Sequence, residues 1–246
     1  MRTPLIIGHR GAPFGARENT IVSFSKAIEI GADGIEFDVR RTKDRVMVVH
    51  HDPAIDGRPL RQLTHQEAND RAGRKGFVIP TVAEVLTLTR GKIKLDVELK
   101  EPGYEKEVVG LIQNYFSKED FVITSFDDQA VAAVKKTCPD VKAGLLLDYE
   151  QSFASYPGRD AGLFSAARYR RCGANFLAPH YSLLEPGFLA QAARNRLGIY
   201  VWTVDEPGLM TELMKDQRIQ AIITNQPDLA IMLYNKLHAS FPAGPG

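Results

Sequence analysis

The chain has 246 residues, with 31 Lys+Arg against 30 Asp+Glu and a formal net charge of +1, so no basic field recommends a nucleic-acid partner. A hydrophobic fraction of 44% with 9% aromatics excludes a disordered chain and supplies one sizeable core. Cys138 and Cys172 are too few for a disulfide framework, and neither an apolar leader in MRTPLIIG nor an apolar run near ~18 residues is present, so a cytoplasmic protein without membrane insertion is expected.

Short β-rich runs alternate with helical stretches, the rhythm of parallel strands joined by crossover helices. Eight strands are predicted: Leu5 to Gly8, Gly34 to Arg40, Ile93 to Leu99, Phe121 to Ser125, Lys142 to Leu147, Ala174 to Ala178, Ile199 to Val204 and Ala221 to Thr224. Thr20 to Ile30, Val82 to Thr89 and Leu229 to Leu237 carry apolar residues near i, i+3, i+4 spacing and read as helices. Eight alternations in about 250 residues point to a (β/α)8 TIM barrel. The competing open doubly wound sheet usually offers G-x-G-x-x-G after strand one, whereas this turn reads GHRGAPFG.

Two features depart from a plain barrel. Arg45 to His51 reads as a strand returning on the second strand through a turn at Lys43-Asp44, a hairpin rather than a crossover. Asp52 to Pro80 follows, polar and rich in turn pairs, and is expected as a small insertion over the barrel mouth, where the active sites of such barrels lie. Residues 1–238 thus read as one domain, and 239–246 as a flexible tail.

The chemistry gathers at strand ends. In GIEFDVR, residues 34 to 40, Glu36 and Asp38 interrupt an apolar run and project to one side, as do Asp96, Glu98 and Lys100 in KLDVELK. A buried carboxylate without a counter-charge costs several kcal/mol, so a cation is expected among Glu36, Asp38 and Glu98. Oxygen-only ligation suits Mg2+ or Ca2+ better than zinc. With Arg10 and Lys100 to neutralise phosphate oxygens, and His9 and His51 to divide the proton transfers, the set has the parts that phosphodiester hydrolysis requires.

Some assignments admit plainer readings. Glu36 and Asp38 pair with Arg40 or Arg41 if they are rim carboxylates; Phe126 and Trp202 are either core residues or the walls of the substrate mouth. Asp96 either serves the site or only orients Lys100 or plugs the barrel, and Glu18 either braces Arg10 or favours the helix that follows it. His50 faces away from His51's side of its strand and reads as structural.

HRG at 9 to 11, EN-T at 18 to 20, GADGIEFDVR at 31 to 40, V-V-H-H-D at 48 to 52 and ELK at 98 to 100 resemble, in order, the signature of the glycerophosphodiester phosphodiesterase family. ITSFD at 123 to 127, YVWTV at 200 to 204 and AIITNQPD at 221 to 228 resemble its later barrel strands, so the likeness spans nearly the whole chain. After His51-Asp52 this chain departs from the family's usual Arg-Thr-Thr, reading PAIDGRPLRQLT, and Asn225 stands where an Asp is frequent.

The resemblance implies a metal-dependent barrel enzyme that cleaves small-molecule glycerophosphodiesters to glycerol 3-phosphate and an alcohol. It maps metal ligands onto Glu36, Asp38 and Glu98, the histidine pair onto His9 and His51, and phosphate contacts onto Arg10 and Lys100. Two rivals remain on the same fold: a lipid-active phospholipase, which calls for aromatic and basic loops at the mouth, and a barrel that binds phosphodiesters without turnover. Neither the oligomeric state nor the alcohol is readable from these residues.

Overall fold

The computed structural model describes residues 3–148, 166–184 and 186–239. The chain runs β1 (Leu5–Gly8), α1 (Ile21–Ile30), β2 (Gly34–Arg41), β3 (Met47–Val49), β4 (Ala54–Ile55) and β5 (Arg58–Pro59), then α2 (His65–Arg74) and α3 (Val82–Thr89). It continues with β6 (Lys94–Leu99), α4 (Glu105–Gln113), β7 (Phe121–Ser125), α5 (Asp128–Thr137), β8 (Ala143–Leu147) and α6 (Ala166–Cys172). The last elements are β9 (Phe176–Pro179), α7 (Pro186–Arg194), β10 (Gly198–Val201), α8 (Pro207–Leu213), β11 (Ile219–Thr224) and α9 (Pro227–Ala239).

Strands β1, β2, β6, β7, β8, β9, β10 and β11 pair in parallel, and β1 closes the ring by pairing with both β11 and β2. This is the eight-stranded TIM barrel expected from the alternation. β3 runs antiparallel to the far end of β2, Val39 opposite Val49, the hairpin that the turn at Lys43-Asp44 anticipated. β2 is buried along almost its whole length because both faces are covered. Ile35, Phe37 and Val39 pack outward among the helices, Phe37 edge-on to Phe24 of α1 at 5.9 Å between ring centroids. The alternate residues, Glu36 and Asp38, therefore turn into the barrel.

Several element ends differ from expectation. β10 stops at Val201 rather than Val204, because Trp202 leaves the ladder to make a single bridge to His180. The sixth barrel strand begins at Phe176, two residues late, since Asn175 is spent on Ala143: its backbone N–H donates to the Ala143 carbonyl and its side chain accepts from the Ala143 N–H. α9 extends over Pro227–Ala239, with Pro227 at a position where a missing N–H does no harm. Beyond Ala239, the expected tail lies outside the described residues.

The 52–80 segment packs a small apolar cluster of its own, Ile55, Leu60, Leu63, Ala68, Ala72 and Ile79, against Val48 of β3. It also contains a helix, α2, which the turn signals alone did not place. The signal was there: Thr64 and Glu67 form a reciprocal capping box that fixes the helix start.

Candidate active site

β1 delivers the first residues. Gly8 ends the strand where an added Cβ would lie 2.1 Å from the Gly11 carbonyl oxygen, and Gly11, at φ 93°, would place one 2.4 Å from Ser23 Oγ. Only glycine fits this turn. Between them Arg10 adopts the left-handed conformation, φ 53°, which aims its backbone N–H at Glu36 Oε2 at 2.9 Å. Asn19, at φ 56°, is a second non-glycine residue in this conformation beside the site. The Asn19 amide donates to Asp38 Oδ2 at 2.7 Å.

The strand register puts Glu36 across from Asp96 and Asp38 across from Glu98. Like charges so placed repel. Ligand atoms of Glu36, Asp38 and Glu98 lie within 4.8 Å of one another, and all three residues are buried. Two cations answer them. Lys100 Nζ is 2.6 Å from Glu98 Oε1 and 3.3 Å from Asp38 Oδ1, and Arg10 Nε is 3.2 Å from Asp38 Oδ2. Glu18 braces Arg10 from outside, both carboxylate oxygens at 2.9 Å from Nη1. Arg40 and Arg41 do not pair with Glu36 or Asp38; they pair with Glu101 and Glu107, so the rim reading of the two carboxylates fails.

The titration pattern follows. Burial first, then the charges of Asp38 and Glu98, pushes Glu36 well above the usual carboxylate range. Burial and the Asp38 charge raise Glu98 to about 7 against the pull of Lys100. Burial also opposes ionisation of Asp38, but Lys100 and Arg10 together outweigh it and hold the group at about 2. With all three ionised, the carboxylates exceed the two fixed cations by one negative charge; Glu36 Oε1 is buried without a partner, and Asp38 Oδ1 has only the Lys100 ammonium at 3.3 Å. Hard oxygens so poorly satisfied, in a trio of this span, suit a divalent cation with oxygen ligands.

His9 and His51 line one cavity of about 160 Å³ together with Arg10, Glu36, Asp96, Glu98, Lys100, Phe126 and Trp202. Asp38, fully buried, sits beneath it. His9 is the deeper ring, its Nε2 3.9 Å from Glu36 Oε2 and its Nδ1 2.8 Å from Asn225 Oδ1. Burial and the neighbouring Arg10 drive it down to about 4 although Asn225 and Asp38 favour its proton, so it is neutral at pH 7. His51 is the outer ring, 38% exposed, with Nδ1 2.9 Å from Asp52 Oδ1. Its carbonyl accepts from Arg40 Nε at 2.8 Å, which pins the backbone. His50 stacks on Phe77 outside this cavity.

Phe126 and Trp202 meet edge to face at 5.5 Å, and the Trp202 indole N–H donates to the Ala178 carbonyl at 2.7 Å. They wall the mouth. Lys100 pairs with Asp38 and Glu98; Asp96 instead accepts the Thr124 hydroxyl at 2.7 Å, and burial raises it to about 7. Sequence reasoning did not give Asn19 or Asp205 a part in the site, and noted Asn225 only as a departure from a resemblance. For Asn19 the signal was its place in the EN-T motif. For Asp205 there was none, because its partner lies 20 residues away.

A closed parallel barrel with its polar cavity at the carboxyl ends of the strands has the architecture of TIM-barrel enzymes. The sequence matches the model of the Glycerophosphoryl diester phosphodiesterase family over residues 9–229. A glycerophosphodiester phosphodiesterase from Caldanaerobacter subterraneus subsp. tengcongensis is 32% identical over 94% of this chain and 98% of its own. Among solved structures, a glycerophosphodiester phosphodiesterase from Parabacteroides distasonis superposes with a TM-score of 0.80 at 26% identity, covering 97% of this chain and all of that one. One from Thermotoga maritima gives 0.77 at 25% identity, covering 95% and 99%. The chain belongs to the glycerophosphoryl diester phosphodiesterase family and is an enzyme of that class.

Proposed function

We propose that this protein hydrolyses small glycerophosphodiesters to glycerol 3-phosphate and an alcohol, with a divalent cation, Mg2+ or Ca2+, held by Glu36, Asp38 and Glu98. The observation that carries the reading is the buried acidic trio, two of whose members, Glu36 with its unpartnered Oε1 and Glu98, line the cavity that His9 and His51 share. The charge supports it. With its carboxylates ionised, the trio, Arg10, Lys100 and a divalent cation together carry one positive charge, which a phosphodiester monoanion then neutralises.

When bound, the cation supplies Lewis-acid polarisation of the phosphoryl group. The remaining work belongs to side chains. Arg10 and Lys100 hold the non-bridging oxygens, the guanidinium through directed N–H groups and the ammonium as a point charge. His9, neutral at pH 7, accepts the proton of the attacking hydroxyl, and His51, on the solvent side, donates one to the departing alcohol. Phe126 and Trp202 cover the glycerol side and limit water access. Residues 1–238 act as one domain, and the 52–80 insertion walls the mouth beside His51. No helix among the described residues is long and apolar enough to cross a membrane, and Cys138 and Cys172 are free thiols, as a reducing, cytoplasmic setting allows.

The test is product analysis by phosphorus NMR with Mg2+, Ca2+ or chelator: glycerol 3-phosphate from glycerophosphocholine and glycerophosphoethanolamine, and a lysophosphatidate or a phosphoalcohol from a lysolipid. Turnover of the first two with added cation is expected. Preference for the lysolipid moves the enzyme to the phospholipase class, and absence of any turnover leaves a binding barrel.

A further inference from the structure

β11 ends at Thr224 beside the end of β1, and the His9 backbone N–H donates to the Thr224 carbonyl at 2.8 Å. The next residue, Asn225, lies between the His9 ring and Asp205. Its Nδ2 donates to Asp205 Oδ2 at 2.7 Å, its backbone N–H donates to Asp205 Oδ1 at 2.8 Å, and its Oδ1 is 2.8 Å from His9 Nδ1. The Thr224 hydroxyl donates to the same Asp205 Oδ1 at 2.9 Å. The carboxylate is therefore fixed by two donors that do not belong to the Asn225 amide.

The two ends of an amide are usually ambiguous, and so is the tautomer of a neutral histidine. Here the ambiguity closes. A carboxylate only accepts, so the end of the amide that faces Asp205 must be NH2. The carbonyl end then faces His9, and a carbonyl also only accepts, so His9 Nδ1 must carry the proton. In a neutral ring the lone pair is left on Nε2, the nitrogen on the side of Glu36, 3.9 Å from Oε2.

We infer that Asp205, acting through Asn225, sets the tautomer of His9, and that both are positioning residues for the general base. The inference rests on the reading of His9 as that base. Neither residue touches substrate in this arrangement; they decide which nitrogen is free to take a proton.

Substitution separates this role from simple support. Asp205→Asn preserves shape and keeps an oxygen for the Asn225 N–H and the Thr224 hydroxyl, but presents an NH2 where Oδ2 stood. Two NH2 groups cannot face each other, so the Asn225 amide turns over, offers NH2 to His9 and forces the proton onto Nε2. Turnover number is expected to fall about 100-fold or more with KM within about twofold, the scale of losing a general base. Asp205→Ala removes the lock without imposing the wrong orientation and should lose less. The double exchange Asp205→Asn with Asn225→Asp restores an acceptor for His9 Nδ1 and a donor between the two positions, and should recover most of the turnover.

A purely structural role predicts the reverse order: the isosteric variant milder than the truncation, and no rescue. Either result overturns the inference. A direct reading is long-range 1H–15N correlation of the His9 ring in the metal-free wild-type protein at pH 7, which should show a protonated Nδ1 and an unprotonated Nε2, inverted in Asp205→Asn. A wild-type ring protonated on Nε2 refutes the tautomer outright. Inversion in a protein that hydrolyses no diester keeps the Asp205 to Asn225 to His9 relay and removes only the catalytic reading of His9.

Discussion

Metal uptake should displace protons, and the structure gives the number and the pH range. Glu98 is raised to about 7 from an unperturbed 4.5, and Glu36 is raised in the same direction, whereas Asp38 is held at about 2. A folded-state value above the unfolded one means a contribution to stability that is complete below pH 4.5 and lost as pH rises through 7. For Glu98 the loss is of order 3 kcal/mol, at about 1.4 kcal/mol per pH unit. The metal-free protein should therefore lose stability from pH 5 to 8, and a divalent cation should restore it.

A ligand that requires the ionised carboxylates must release the proton of Glu98, and that of Glu36 wherever it remains protonated, while Asp38 contributes none. Apparent affinity should rise about tenfold per pH unit for each proton displaced, so at least about 100-fold between pH 5 and 7, flattening once Glu98 is ionised. Titration calorimetry at pH 6 in two buffers of different ionisation enthalpy counts the protons directly, and the expected count lies between one and two. Binding at pH 6 with no proton release, or an affinity flat from pH 5 to 8, would refute the electrostatic reasoning.

Other outcomes follow from single contacts. His9→Ala and His51→Ala should each lower the turnover number by at least about 100-fold while circular dichroism and the melting temperature of the metal-free protein at pH 7 stay close to wild type. Because His9 is driven down to about 4 from 6.5, the unfolded chain takes up its proton first as pH falls. Stability present above pH 6.5 is then lost toward pH 4, by up to about 3 kcal/mol, and urea unfolding of His9→Gln at pH 7 and 4.5 should lack that part of the slope. Gly11→Ala meets both a φ of 93° and a 2.4 Å approach to Ser23 Oγ; it should cost roughly 2–3 kcal/mol by denaturant titration, and a neutral result would contradict the turn geometry. Thr81→Ala removes the capping box at the start of α3 and should cost about 1 kcal/mol in the same assay.

Strand and helix alternation made the barrel legible, since a parallel ring needs only that rhythm and β2 already showed two carboxylates set between Ile35, Phe37 and Val39. The period of two told which side Glu36 and Asp38 would share; what it did not carry was the register that sets Asp38 against Glu98. Trp202 reads as part of a strand because its neighbours are β-formers, yet its indole N–H is committed to the Ala178 carbonyl, and its backbone donates to the Pro179 carbonyl and accepts from the Tyr181 N–H. α2 was hidden by a polar composition whose buried side is only Ala68 and Ala72. The tautomer of His9 depends on residues 216 and 20 positions apart in sequence, a relation that spacing does not reveal.

The central claim is a hard cation on Glu36, Asp38 and Glu98 within reach of His9 and His51. Crystals grown with Mn2+ and glycerol 3-phosphate would test it by anomalous scattering. The account predicts one strong peak about 2.0–2.6 Å from a carboxylate oxygen of each of the three residues, with the phosphate between the two rings. A peak elsewhere, or a phosphate bound with no metal at the trio, would contradict it.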